Sequence, residues 1–312
     1  MAFAFVFPGQ GSQYVGMMDA YGDSSVVRAT FDEASATLGE DLWALVADGP
    51  AENLAQTVNT QPVMLTAATA VFRLWREKGG KAPSVVAGHS LGEYSALVAA
   101  GVIAFTDAVP LVRLRALAMQ EAVPTGVGAM AAILNLGVGK IREACAETIA
   151  ELGEGAVAEA VNFNAPEQTV IAGTKAAVER ACAVCKTKGA KRAVVLPVSA
   201  PFHSSLIRPA ADKLSAHLAE LSFSAPKIPV VNNVDVAVEN DPERIKDALI
   251  RQTYSPVRWV ETIEKIAAMG ISTVVECGPG MVLAGLTKRC ASALTGIALS
   301  DAASIEDKLG LE

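Results

Sequence analysis

The chain has 312 residues, of which 51% are hydrophobic and 19% are charged, and its formal net charge is −7. This length allows one large domain or two unequal ones, and the composition excludes a disordered protein. The acidic balance disfavours a nucleic-acid-binding protein, because neutralising phosphates requires a basic face. Two short basic clusters, Lys186 to Arg192 and Lys288-Arg289, are either solvated helix ends or a local docking site for an acidic partner.

The cysteines and the apolar segments indicate in which cellular compartment the protein is expected. Five cysteines, an odd number with wide spacing, favour free buried thiols in a reducing compartment. Cys182 and Cys185 form a C-x-x-C inside a helical pattern without a nearby histidine, so we interpret them as core residues rather than metal ligands. The apolar N-terminal segment has no basic residue before Arg28, which predicts a buried strand and not a signal peptide. The longest apolar stretch, Ser95 to Phe105, is too short to span a bilayer, so we expect a cytoplasmic protein with no membrane partner.

Short strand patterns alternate with longer helical patterns along the chain, which predicts an α/β fold built on a parallel sheet. Several predicted strands are continuously apolar, as expected for strands covered on both faces. The predicted strands are Ala2 to Phe7, Ser84 to Ala87, Val194 to Val198, Ile228 to Val231 and Thr273 to Cys277.

The middle third has a different order of elements. It predicts the β-α-β-β-α-β order of a ferredoxin-like domain. The predicted elements are strands Ala129 to Leu134, Val157 to Phe163, Thr169 to Ala172 and Ala193 to Leu196, helices Gly139 to Ala150 and Thr174 to Lys188, and a turn at Asn164-Ala165-Pro166. We therefore expect a small domain, residues 126–197, inserted into a large domain formed by residues 1–125 and 198–312.

The segment from Val85 to Leu97 carries the strongest chemical signal. A short apolar strand leads into Gly-x-Ser-x-Gly at residues 88–92, and a helical pattern follows at once, which is the context of a nucleophile elbow. The glycines are required because the sharp turn strains the backbone at Ser90 and crowds any Cβ two residues away. The N–H of Leu91, at the start of the helix, is the natural donor to an oxyanion. We therefore expect the large domain to be α/β-hydrolase-like.

A serine nucleophile requires a base, and the chain has three histidines. His89 adjoins the serine and is expected to brace the loop, whereas His217 lies in a charged helical pattern typical of a surface. His203 is the predicted base, because it follows a predicted strand in a loop, where α/β proteins place functional side chains. No acidic residue stands out as a third member. We therefore predict a Ser-His dyad in which a backbone carbonyl holds the imidazole.

Together with the elbow and the histidine loop at residues 201–204, several further motifs resemble the bacterial malonyl-CoA:acyl carrier protein transacylases over almost the whole chain. Chance agreement at so many ordered sites is negligible. The matching stretches are Phe7-Pro8-Gly9-Gln10-Gly11-Ser12-Gln13, Asn59-Thr60-Gln61-Pro62, Arg115 with Met119-Gln120, Asn162-Phe163-Asn164, Asn232-Asn233 and Glu276-Cys277-Gly278-Pro279-Gly280.

The resemblance implies roles for further residues. The N–H of Gln10 would be the second oxyanion donor, and the main-chain carbonyl of Gln252 would hold the imidazole. Arg115 would bind the free carboxylate of a malonyl group, because a planar guanidinium can grip both oxygens. Without the resemblance it is an exposed helical charge, and Arg113 points to another face of the same helix. Pro110 is expected to begin or kink that helix. The expected pocket residues are Gln61, Met119 and Asn162.

The implied activity is the transfer of a malonyl group from malonyl-CoA to the phosphopantetheine thiol of acyl carrier protein, for fatty acid synthesis. It would follow a ping-pong course through an ester on Ser90. Malonyl-CoA and the carrier protein are then substrates, and we expect a monomer with no cofactor and no metal. Two other hypotheses stay open, a serine esterase or thioesterase and a non-enzymatic module that binds the carrier protein. A branched extender such as methylmalonyl is a variant of the same chemistry.

Overall fold

The first strand, β1, lies in the middle of a parallel sheet in the computed structural model, which describes residues 2–198 and 200–311. The strands are β1 (Phe3–Phe7), β2 (Val85–Gly88), β3 (Gly128–Leu134), β4 (Ala158–Ala165), β5 (Gln168–Thr174), β6 (Arg192–Val195), β7 (Val230–Val231), β8 (Thr273–Glu276) and β9 (Thr295–Ala298). Within the described residues they form one sheet in the order β7-β2-β1-β8-β9 and another in the order β4-β5-β3-β6.

Helices cover both sheets, and the elements before and after residues 128–195 pack mainly around the parallel one. The helices are α1 (Ser25–Leu38), α2 (Leu42–Asp48), α3 (Ala51–Leu54), α4 (Thr57–Glu77), α5 (Gly92–Ala99), α6 (Phe105–Glu121), α7 (Val138–Leu152), α8 (Lys175–Thr187), α9 (Arg208–Glu220), α10 (Pro242–Gln252), α11 (Trp259–Ala268), α12 (Val282–Cys290) and α13 (Ala302–Lys308). Single turns of 3-10 helix occur at Asp19–Tyr21 and Ser205–Ile207.

Strands β1, β2 and β7 of the parallel sheet are buried throughout, which explains why they are continuously apolar. Side chains alternate along β1, so Phe5 and Phe7 join the core formed with α1, α4, α5 and α6. Val6 points the other way and joins Trp259 and Ile263 of α11 in a second core. Because β1 pairs with both β2 and β8, the loops that follow these three strands open at the same edge of the sheet.

The second sheet is antiparallel in all of its pairings. Ile133 and Ile171, on one face, pack against Ile141 of α7 and Val178 of α8. The opposite face, which includes Met130, joins a different core with residues of α6 and of the segment near Phe202. The Met130 face of the second sheet is therefore turned toward the carboxyl edge of the parallel sheet.

The structure confirms an α/β fold with a parallel sheet. Four of the predicted strands, from Ala2, Ser84, Ile228 and Thr273 onward, overlap strands of that sheet. The placement of Val194 to Val198 with them is wrong, because β6 pairs antiparallel with β3. The other prediction for this segment, that Ala193 to Leu196 form the last strand of the middle third, agrees with the pairing of β6 and β3.

Three local details differ from the sequence predictions. β4 continues to Ala165, so the turn of its hairpin falls at Pro166-Glu167 rather than at residues 164–166. Strand β9 was not predicted, since it is a short, half-exposed strand at the sheet edge. Helix α6 begins at Phe105 rather than at Pro110, and it continues past this proline. Pro110 lacks the N–H that would otherwise bond to the carbonyl of Thr106.

Among the described residues, no helix is both long and apolar enough to cross a membrane.

Candidate active site

Ser90 lies on a strained turn between β2 and α5, as the motif predicts. Its φ is 51°, in the left-handed region that non-glycine residues rarely adopt. A Cβ built at Gly88 would lie 1.9 Å from the carbonyl carbon of Gly92, and one built at Gly92 would lie 2.0 Å from the carbonyl oxygen of Phe7. The two glycines are therefore required by close backbone contacts, and the turn holds the serine at the end of β2.

His203 meets the serine from a loop that is distant in sequence. Its Nε2 lies 2.7 Å from Ser90 Oγ across a separation of 113 positions. Its Nδ1 lies 2.9 Å from the main-chain oxygen of Gln252. A carbonyl can only accept, so Nδ1 carries the proton and donates it, which leaves the lone pair of Nε2 directed at the hydroxyl. His203 also has a positive φ, of 65°, so the side chains of Ser90 and His203 both extend from strained backbone.

The environment keeps the imidazole neutral. Burial of His203, assisted by the positive charge of Arg115, lowers its pKa to about 3. A neutral imidazole can accept the serine proton, whereas an imidazolium cannot. The arrangement can therefore deprotonate Ser90 at neutral pH without a carboxylate partner.

Arg115 reaches the same point from α6. It is 1% exposed, and its guanidinium donates to Gln61 Oε1 at 2.8 Å, Gln252 Oε1 at 2.9 Å and Ser90 Oγ at 3.2 Å. Each of these acceptors is a neutral oxygen, so the buried charge has hydrogen bonds but no carboxylate among them. Arg113 lies on another face of α6, where its guanidinium forms a bidentate ion pair with the Glu40 carboxylate at the surface. Of these two arginines, Arg115 is the one whose positive charge lies beside the serine.

A cavity of about 420 Å³ opens over the serine, between the edge of the parallel sheet and the antiparallel sheet. A site of this size accommodates a small acyl group together with part of a longer chain. The predicted residues that line it are Gln10, Gln61, Ser90, Leu91, Arg115, Met119, Asn162 and His203. Gln252 lies one layer behind, bonded to both Arg115 and His203.

Two backbone N–H groups are free to bind an oxyanion in this cavity. Within the described part of the chain, the N–H groups of Gln10 and Leu91 have no hydrogen-bond partner. The loop that carries Gln10 lies against the elbow, since a Cβ built at Gly9 would be 2.5 Å from the His89 oxygen and 3.8 Å from the Leu91 nitrogen. The geometry therefore places two free donors close together beside Ser90.

The other two histidines lie away from the reacting atoms. His89 is next to the serine in sequence, but its Nε2 bonds to Asn164 Oδ1 at 2.8 Å and its ring lies 5.4 Å from that of Trp259. It braces the elbow against β4, as predicted. His217 lies on α9 and is half exposed, although its Nε2 is buried.

Two residues that the sequence reasoning did not assign hold the elbow from behind. Asn233 accepts from the Ser90 N–H at 2.7 Å and donates to the Gly88 oxygen at 2.7 Å. Glu93, 2% exposed, accepts from the Asn233 N–H at 2.9 Å and from Gln252 Nε2 at 2.8 Å. Two features of the sequence could have indicated these residues. Glu93 lies one helical turn after the serine, and Asn233 belongs to the Asn232-Asn233 motif.

Within residues 2–198 and 200–311, no group of three or more His, Cys, Asp or Glu side chains is arranged to hold a metal ion. The five cysteines are free and buried, including Cys182 and Cys185 on α8. This agrees with the interpretation of the C-x-x-C as core packing.

Comparison with known proteins gives one family and a consistent set of relatives. Residues 4–303 match the family model of the acyl transferase domain. The malonyl CoA-acyl carrier protein transacylase of Escherichia coli K12 is 56% identical over 310 residues, which cover 99% of each chain. The protein of the same name from Bacillus subtilis is 46% identical over 304 residues, which cover 97% of this chain and 95% of that one.

Solved structures agree with this. The acyl-carrier-protein S-malonyltransferase of Burkholderia pseudomallei has 63% identity and a TM-score of 0.97, with complete coverage of both chains. A malonyl-transacylase solved in complex with a type II PKS acyl-carrier protein has 53% identity and a TM-score of 0.97, again with complete coverage.

The elbow glycine gives a first prediction. Gly92→Ala should lose about 1–3 kcal/mol of unfolding free energy, because the added methyl group overlaps the Phe7 carbonyl. It should also slow labelling of Ser90 by a sulfonyl fluoride, measured by intact-protein mass spectrometry. The control is Gly285→Ala on α12, where an added Cβ has no neighbour within 4 Å among the described residues. Labelling of Gly92→Ala at the wild-type rate would contradict the assignment of the elbow.

Proposed function

The chain belongs to the acyl transferase family, and from this premise we propose that it transfers a malonyl group from malonyl-CoA to the phosphopantetheine thiol of acyl carrier protein. This activity supplies fatty acid synthesis with its extender unit. The observation that carries the proposal is the 2.7 Å contact between Ser90 Oγ and His203 Nε2, in a cavity that also contains the buried Arg115.

In the first half-reaction, Ser90 Oγ attacks the thioester carbonyl while His203 Nε2 takes its proton. The carbonyl oxygen becomes an oxyanion, for which the free N–H groups of Gln10 and Leu91 are the donors. The carbon–sulfur bond then breaks, and the coenzyme A sulfur leaves with the proton from His203 Nε2. The products are a malonyl ester on Ser90 and coenzyme A as its thiol.

The second half-reaction is the reverse with another thiol. The phosphopantetheine thiol of the carrier protein gives its proton to His203 and attacks the ester carbonyl. The same two N–H groups hold the oxyanion, and Ser90 recovers its proton as the carbon–oxygen bond breaks. The main-chain oxygen of Gln252 keeps the imidazole in the required tautomer throughout.

Selectivity for malonyl follows from Arg115. Its guanidinium lies beside Ser90 Oγ, so the free carboxylate of a malonyl group on the serine would lie within its reach. A charge-assisted, two-pronged hydrogen bond in a buried site is strong and directional. The other pocket residues proposed to contact the acyl group are Gln61, Met119 and Asn162.

We also propose the finer description of the fold. Residues 126–197 would be a small ferredoxin-like domain, supported by their order of elements and by the sheet order β4-β5-β3-β6. Residues 1–125 and 198–312 would be the large α/β-hydrolase-like domain, supported by the parallel sheet and the elbow. The cavity then lies between the two domains.

The remaining proposals concern the setting of the reaction. Free buried thiols support a cytoplasmic location, because a reducing compartment keeps cysteines unpaired. The chemistry described above is complete with protein groups, so we propose that it proceeds without a cofactor or a metal. A monomer suffices, since all of the proposed groups come from one chain.

The second prediction tests the nucleophile. Wild-type protein mixed briefly with malonyl-CoA should gain the mass of one malonyl group, and Ser90→Ala should neither gain it nor transfer to the carrier protein. Intact-protein mass spectrometry and a carrier-protein gel-shift assay measure the two steps. Full transfer by Ser90→Ala would refute the mechanism, and rapid release of free malonate without a thiol acceptor would indicate a thioesterase.

The third prediction tests the acyl selectivity. Arg115→Ala should lose roughly 2–3 kcal/mol of malonyl binding, because a hydrogen-bonded charge pair is removed, and should gain in relative use of acetyl-CoA. Arg113→Ala is the matched control and should keep the wild-type preference, since Arg113 bonds to Glu40 at the surface. Competition between malonyl-CoA, methylmalonyl-CoA and acetyl-CoA measures the change. An effect of Arg113→Ala alone would overturn the assignment.

The fourth prediction concerns pH. Because the pKa of His203 is lowered to about 3, its imidazole should stay neutral at pH values where an unperturbed histidine, with a pKa of about 6.5, is mostly protonated. The kcat/KM for acylation of Ser90, which reports the free enzyme, should change less than about threefold between about pH 7.5 and about pH 5.5. Rapid-quench mass spectrometry measures it, with circular dichroism as a check of folding. A tenfold fall centred near pH 6.5 would be inconsistent with a buried neutral base.

A further inference from the structure

The side chain of Gln252 connects the groups of the site that bind with those that react. Its main-chain oxygen accepts from His203, but its amide has three further bonds. Oε1 accepts from Arg115 Nη2 at 2.9 Å, and Nε2 donates to Glu93 Oε2 at 2.8 Å and to the Ser90 carbonyl at 3.1 Å. The residue is 1% exposed, so no solvent molecule competes freely for these positions.

The neighbours of this amide allow one orientation. A guanidinium has only donors, so the side of the amide that faces Arg115 must be the oxygen. A flipped amide would direct its NH₂ group at those donors and its oxygen at the Ser90 carbonyl and the Glu93 oxygen. The orientation of the Gln252 amide follows from its hydrogen-bond partners. Its oxygen faces Arg115, and its NH₂ group, on the opposite side, requires Glu93 as an acceptor.

We propose that Glu93 is a positioning residue for acyl selectivity, which holds the Gln252 amide so that its oxygen faces Arg115 and orients the guanidinium toward the substrate carboxylate. This inference rests on the proposed function. Glu93 touches neither Ser90 Oγ nor His203 in the structure, so it acts through Gln252.

The role belongs to the acceptor oxygen rather than to the negative charge. Glu93 Oε2 accepts both the Gln252 and the Asn233 bonds, which leaves Oε1 to carry a proton when the acid is neutral. Burial raises the pKa of this carboxyl to about 7, so both forms are populated near neutral pH. A glutamine at position 93 retains an oxygen that can accept both bonds, and it should therefore preserve the function.

A purely structural role is the competing explanation. Through the Asn233 N–H, Glu93 also supports the residue that holds the Ser90 N–H, so its loss could disturb the elbow. Damage to the elbow would slow every acyl donor alike. Loss of Arg115 orientation would slow only donors with a free carboxylate, and this difference separates the two explanations.

The experiment compares malonyl-CoA with acetyl-CoA, which lacks the carboxylate, in wild type, Glu93→Met and Glu93→Gln. Methionine keeps the length of the side chain without a comparable acceptor. We expect Glu93→Met to lower kcat/KM for malonyl-CoA about tenfold, mainly through KM, as for a lost hydrogen bond to a charged group. Acetyl-CoA should change less than about threefold, and Glu93→Gln should be close to wild type for both. Equal losses for both donors in Glu93→Met would overturn the proposal.

A second variant keeps the proposal testable if Glu93→Met does not fold. Gln252→Met removes the amide but keeps the main-chain oxygen that bonds to His203, so it should show the same loss of malonyl preference. A wild-type preference in Gln252→Met would overturn the proposal. In an Arg115→Ala background, Glu93→Met should lower the preference no further, because both changes affect one interaction, and additive losses would contradict this.

The failures of the two proposals are distinguishable. If wild-type protein is not malonylated on Ser90, the proposed function fails. If wild-type protein is malonylated and the Glu93 and Gln252 variants keep the malonyl preference, only the role of Glu93 fails.

Discussion

The strained turn at Ser90 is the constraint on which the rest of the site depends. β1 and β2 pair in parallel, with Phe7 beside Gly88, and the Phe7 carbonyl then lies against Gly92 at the start of α5. The loop after β1 crosses the elbow at Gly9, so the free N–H of Gln10 lies near that of Leu91. The pairing of β1 with β2 therefore brings the Ser90 turn and the two N–H groups that we propose as oxyanion donors to one place.

A buried positive charge is the second constraint. Arg115 donates to neutral oxygens of Gln61, Gln252 and Ser90, and its buried Nε has no hydrogen-bond partner among the described residues. A carboxylate partner would compete with any anionic substrate, and removing water makes an uncompensated charge costly. This arrangement supports the proposal that the acyl substrate brings its own carboxylate to Arg115. Burial, together with this charge, lowers the pKa of His203, so its imidazole stays neutral.

The parts of the fold that were predictable are those whose physical cause is local. Apolar runs mark strands buried on both faces, and the glycines at 88 and 92 mark a turn without room for a Cβ. β9 lacked such a mark, because it is a half-exposed edge strand. Its Gly296 is explained by the close approach of the Ala284 oxygen from α12, a contact between two elements that no pattern within either one reveals.

By itself, the sequence determined the kind of chemistry, since a serine between two glycines after a strand, and one loop histidine among three, leave few alternatives. Motif resemblance was needed to select Arg115, which reads as a surface charge on its own helix. The tertiary structure alone decided which groups meet: His203 reaches Ser90 across 113 positions, and Glu93 and Asn233 support the elbow from behind. The Ser90–His203 pair could be predicted from its residue types and loop position, but hydrogen bonds such as those of Glu93 and Asn233 depend on packing and produce no periodicity, so only the folded chain reveals them.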